Sequence, residues 1–116
     1  MRKQIEVQQV YIIVGVIDEL MEQHAEIPVS TALKFIKMKE EAKPIINYIN
    51  ERLNTVFPGF MDNPSITEEE MVVYEQIMKS KVDFDTQGLT EEELLNITNV
   101  KIDLGVFEKF VKCSVL

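Results

Sequence analysis

The chain has 116 residues, 46% of them hydrophobic and 28% charged, with one cysteine, one histidine and no tryptophan. That length and balance fit a single domain, residues 1–116, whose core needs neither disulfide nor metal, and they exclude a disordered chain. The net charge of −8 is lopsided, with seven Lys or Arg against eight Asp or Glu in residues 1–60 and five against twelve in residues 61–116. Direct nucleic-acid binding, which needs clustered cations, is therefore not expected, and a partner drawn by charge should be basic.

A lone cysteine, Cys113, forms no internal bridge and fits a reducing cytoplasm. The longest apolar run, Val10 to Ile17, is too short to span a bilayer and lacks the flanks of a signal peptide. The expectation is a cytoplasmic protein with no membrane role.

In chain order, Ile5, Glu6 and Val7 alternate as a short half-buried strand does. From Gln8 the spacing becomes helical, with Val10, Ile13, Val14, Ile17, Leu20, Met21 and His24 on one side. The run VYIIVGVI also fits a buried strand, and Gly15 costs a helix about 1 kcal/mol relative to Ala. The pattern outlasts strand length, so a helix from Gln8 to His24 is expected. Pro28 ends the connection and Ser30 stands as an N-cap.

Ser30 to Val56 carries the clearest period in the chain. Phe35, Met38, Ala42, Ile45, Ile49 and Val56 form its stripe, so this helix is expected to be the element around which the rest is organised. With the preceding helix it makes an antiparallel hairpin. Pro44 lies inside it, where a missing N–H and a clash with the carbonyl of Glu40 predict a kink or break.

Phe57 to Pro64 is a turn-rich joint. Thr67 with Glu70 and Thr90 with Glu93 are capping boxes that open short helices, Lys81 to Asp85 alternates as a strand able to pair with Ile5 to Val7, and Asp103 caps a last helix carrying Val106, Phe107, Phe110 and Val111. The predicted fold is mainly α, a helical hairpin with additional short helices and a minor short β-strand pair.

Catalytic chemistry is sparse in this sequence. Asp83, Asp85 and Gly88 occupy the first, third and sixth positions of a calcium loop, but the twelfth is Leu94, which cannot supply the bidentate carboxylate. A strand, turn and capped helix is the better reading. His24 suits a general base or, more simply, a helix C-terminus. Cys113 follows Lys112 but has no second histidine or nucleophile motif to work with. Neither a P-loop nor GxGxxG is present, so no cofactor, no metal and no enzyme activity are expected.

What remains is contact. The acidic triplets Glu68, Glu69, Glu70 and Glu91, Glu92, Glu93 complement helix dipoles and equally offer a negative surface to a partner. Phe57, Phe60 and Met61 give the joint apolar side chains for a partner surface, and self-association as a dimer is expected through the joint or the long helix.

The order of these parts, with the Ile27–Pro28 turn, the Asn50–Leu53 helix end, the acidic strand Val82 to Asp85 and a closing helix after Asp103, resembles small uncharacterised proteins of bacteriophages and prophages of Gram-positive bacteria. Pro44 and the Phe57–Phe60 joint depart from that pattern. The resemblance implies a viral accessory protein in the cytoplasm of a bacterial host and supplies no site residues. The expected function is non-enzymatic binding of a host or phage protein, as an inhibitor or modulator of a host enzyme; the alternative is a structural or assembly component of the virion.

Overall fold

Ile5 and Phe84, the fully buried residues of two short strands, face the core from β1 (Arg2–Glu6) and β2 (Lys81–Asp85) in a computed structural model that describes residues 2–23, 25–57, 67–98 and 100–115. The strands pair antiparallel, from Arg2 opposite Asp85 to Glu6 opposite Lys81, as the alternation predicts. Val7 is not part of the ladder: it is the first residue of α1 (Val7–Glu22). Its apolar side chain is buried there without any change of period, because Glu6 turns the chain and its N–H donates to Gln9 Oε1 at 2.8 Å.

α1 and α2 (Val29–Val56) form the hairpin. Ser30 is not the cap of α2: it lies in the first turn, and Pro28 takes the cap position because its carbonyl already accepts from Ala32 N–H at 2.9 Å. Tyr11 bonds to Asn50 and Asp18 pairs with Lys39, so partners descend in α2 as they ascend in α1, which makes the helices antiparallel. At 28 residues, α2 is about 42 Å long and sets the 43 Å long axis of the molecule. The break expected at Pro44 does not occur. Pro44 and Glu40 both lie on the exposed side of an uninterrupted helix, where water can satisfy the carbonyl that the proline leaves without a donor.

α3 (Glu68–Met78), α4 (Glu91–Leu95) and α5 (Leu104–Ser114) follow. Each starts at its predicted cap: Thr67 accepts from Glu70 N–H, Thr90 from Glu93 N–H, and Asp103 from the N–H groups of Gly105 and Val106. The organising element is α1, not α2. It packs against α2, α3, α5 and β1, because Val10, Ile13, Val16, Ile17 and Leu20 are all buried on one side and half-buried Tyr11, Ile12 and Val14 extend the packed surface beyond it.

The main core joins those residues to Phe35, Met38 and Ala42 of α2, Phe84 of β2, Leu89, Leu94 and Ile97 around α4, and Phe110 and Cys113 of α5. Phe35 and Phe110 meet edge to face with centroids 6.0 Å apart, the arrangement aromatic quadrupoles favour. A second cluster of Val7, Ile49, Leu53 and Phe57 sits toward the far end of α2, and Ile45 and Val82 touch both. Lys3 Nζ donates to the carbonyls of Lys112 and Val115 at 3.2 and 2.7 Å, closing the C-terminus of α5. No helix among the described residues is long and apolar enough to cross a membrane.

Candidate binding groove

α3 is held to the body by a few contacts. Val7 N–H donates to Ser80 O at 2.9 Å just beyond its C-terminus, and Tyr74, Ile77 and Met78 rest on the second core cluster. No residue of α3 is fully buried, and Met71, Val72 and Val73 on successive sides of it are all exposed. A helix that is apolar most of the way round normally lies inside a protein; this one lies on the surface.

Between α3 and the hairpin runs an open groove of ≈ 570 Å³. Leu53, Met71 and Met78 give it apolar surface, Tyr11 and Tyr74 line it with aromatic rings, and Gln8, Asn50, Glu75 and Lys79 supply its polar groups. Tyr11 Oη donates to Asn50 Oδ1 at 3.0 Å. Burial, with Tyr74 nearby, pushes the Tyr11 hydroxyl above its usual range, so it stays protonated and acts as a donor at neutral pH. Tyrosines with one apolar face and one polar tip are the side chains that anchor protein contacts. The sequence signal for this site was the pairing of Tyr11 on α1 with Met71, Tyr74 and Met78 at helical spacing on α3. It reads equally well as core, and only the packing separates the two.

The acidic triplets are split in role and in place. Glu70 and Glu93 are occupied in capping: Thr67 N–H donates to Glu70 Oε1 and Thr90 N–H to Glu93 Oε1, both at 3.1 Å. Glu93 also pairs with Lys34 at 2.7 Å, and that hydrogen bond first, with Thr90 behind it, holds its carboxyl below the usual range. Glu68, Glu69, Glu91 and Glu92 are exposed. Met71 shares the groove with Asn50 and Leu53, while Ile77 shares another cleft with Ile45 and Ile49, so α3 runs antiparallel to α2 with Glu68 and Glu69 toward the Leu53 end. Glu93 sits beside Lys34. Nineteen helical residues separate Lys34 from Leu53, about 28 Å, well beyond the roughly 8–10 Å reach of surface charge in salt. The two triplets are separate features; Glu75 is the acidic residue that lines the groove, and exposed Glu68 and Glu69 stand in the first turn of the same helix, just before Met71.

Phe57 is not available to a partner. Its side chain is buried against Leu53 and the rest of the second cluster, because an aromatic ring closing the end of an amphipathic helix packs onto the apolar side it terminates. Phe60, Met61 and His24 lie outside the described residues. The calcium-loop segment is strand, turn and capped helix: Asp83 pairs with Gln4 in the ladder, and Asp85 Oδ1 accepts from Gln87 N–H at 2.9 Å. Gln87 and Gly88 take φ of 58° and 68°, and Leu89 N–H returns to Thr86 O at 3.0 Å to close the turn. Among the described residues, no three His, Cys, Asp or Glu side chains converge as metal ligands would. Cys113 is buried, which pushes its thiol up to about 11 and leaves it a packing residue.

No protein-family model, curated protein or solved structure matches this chain.

Proposed function

We propose that the protein works by binding another protein in the groove between α3 and the α1–α2 hairpin. The observation that carries this reading is the groove itself, open, lined by two tyrosines and bordered by exposed Met71 on a helix that buries none of its residues. Tyrosine and methionine are enriched where proteins touch, and Met-rich surfaces adapt to a partner's shape. Glu75 lines the groove and exposed Glu68 and Glu69 open the same helix, which makes the α3 side negative, so the occupant is an apolar segment flanked by Lys or Arg. Stoichiometric inhibition or modulation of an enzyme with a basic surface is the form of binding that this chemistry supports best. A viral setting enters through the sequence resemblance alone, and it makes a host enzyme the first partner to look for and a virion protein the second.

The test is affinity capture from infected bacterial cells by the wild-type chain, by Met71→Glu and by Glu68→Lys/Glu69→Lys, each checked for unchanged helicity by circular dichroism. The expected result is a protein held by the wild type, depleted at least tenfold by Met71→Glu and lost more readily in salt with the charge reversal. A captured set that is the same for all three chains would contradict the groove. Recovery of capsid or tail proteins alone would replace the inhibitor with a virion component.

A further inference from the structure

The outward side of α2, away from the groove and the core, bears a pattern with its own symmetry. Val29, Leu33, Lys37, Glu40, Pro44 and Tyr48 are all exposed, with Val29, Leu33 and Tyr48 between 55% and 77% accessible. Their spacing is four, four, three, four and four, which keeps them within about 100° of one another around a helix of 3.6 residues per turn. Read from either end, the chemical order is apolar, apolar, charged, charged, apolar, apolar, and the charge changes sign at the centre. Buried Phe35, Met38, Ala42 and Ile49 fill the opposite side; Pro44 and Tyr48 border an open cleft above the second core cluster, yet Tyr48, Val29 and Leu33 stay more than half exposed.

We propose that this side of α2 is the interface with a second copy of the chain, packed antiparallel about a two-fold axis at the level between residues 38 and 39. In that register Val29 meets Tyr48 of the second copy, Leu33 meets Pro44, and Lys37 meets Glu40, each contact made twice as an isologous interface requires. A parallel arrangement would set Lys37 on Lys37 and Glu40 on Glu40, so the charges select the antiparallel one. The break that Pro44 would cause in many helices is absent, and its ring, which has no N–H to satisfy, instead offers a flat apolar surface opposite Leu33. The seam is one helix pair over twenty residues, smaller than the roughly 1,600 Å² of a standard interface. The dimer is therefore a reversible one, present at micromolar and higher concentration and weakened by salt through its central ion pairs.

Sedimentation equilibrium over a concentration series tests it. The wild type shifts from monomer to dimer, Leu33→Asp stays monomeric with unchanged helicity, and Lys37→Glu and Glu40→Lys each weaken dimerisation at least fivefold. The double variant Lys37→Glu/Glu40→Lys, which restores opposite charges across the axis, returns to within about threefold of the wild type. A wild type that stays monomeric throughout, a dimer untouched by Leu33→Asp, or a double variant no better than the single ones would overturn the proposal. Because none of these residues borders the groove on α3, this outcome is independent of whether the groove binds a partner.

Discussion

Gly15 stands in the middle of α1 with nothing within 4 Å of where a Cβ would sit, so glycine meets no packing need there and costs the helix backbone entropy. Gly15→Ala should raise stability by about 1 kcal/mol, read as a higher denaturation midpoint at unchanged slope; a loss of stability would mean that the surface around it is covered in solution. Glu93 sets the pH dependence of the α4 end. Its native carboxyl is held low by Lys34, so the stability it adds is complete above the usual glutamate range and is lost as pH falls through the depressed native value. Wild type should lose its advantage over Glu93→Gln from about pH 5 downward, in thermal midpoints taken from pH 7 to pH 3; parallel curves would contradict the pair. At this scale three caps were legible, since Thr67, Thr90 and Asp103 each announce themselves by spacing, whereas Ser30 did not cap α2, which starts at Val29 with Pro28 at the cap position. Gln87 was not, because a left-handed residue that is not glycine has no signature of its own.

Among the elements, both hairpin helices, the strand pair and the three short helices follow from period and capping signals. The sequence misjudged what each element does. The stripe on α2 is the more regular, but α1 becomes the hub, because half-buried Tyr11, Ile12 and Val14 carry its contacts past the buried side and blur its period. α3 shows the reverse: it carries Met71, Val72, Tyr74, Ile77 and Met78, yet fully buries none of them. Such a helix should open locally before the protein unfolds. Thr67→Ala removes its cap, worth about 1 kcal/mol, so amides of α3 should exchange roughly fivefold faster in hydrogen exchange while those of α1 keep their rates. Equal acceleration in both helices would show that α3 is part of the global cooperative unit.

Over the whole molecule, two cores lie along α2, the larger around Phe35 and Phe110 and the smaller around Leu53 and Phe57. The acidic excess of the second half, a single feature in the sequence, is divided by the fold between the two ends of α2, because α3 and α4 dock on opposite ends of the same long helix. The groove lies at the smaller core, where one wall is the loosely held α3. Site-specific photo-crosslinking tests this account most directly, with a photoreactive residue replacing Met71 in the groove or, as a control, Glu108 on the exposed side of α5, in cells that contain the partner. The account predicts a discrete crosslinked protein from position 71 and none from position 108. Crosslinking to the same protein from position 108 alone, or equally from both, would contradict it.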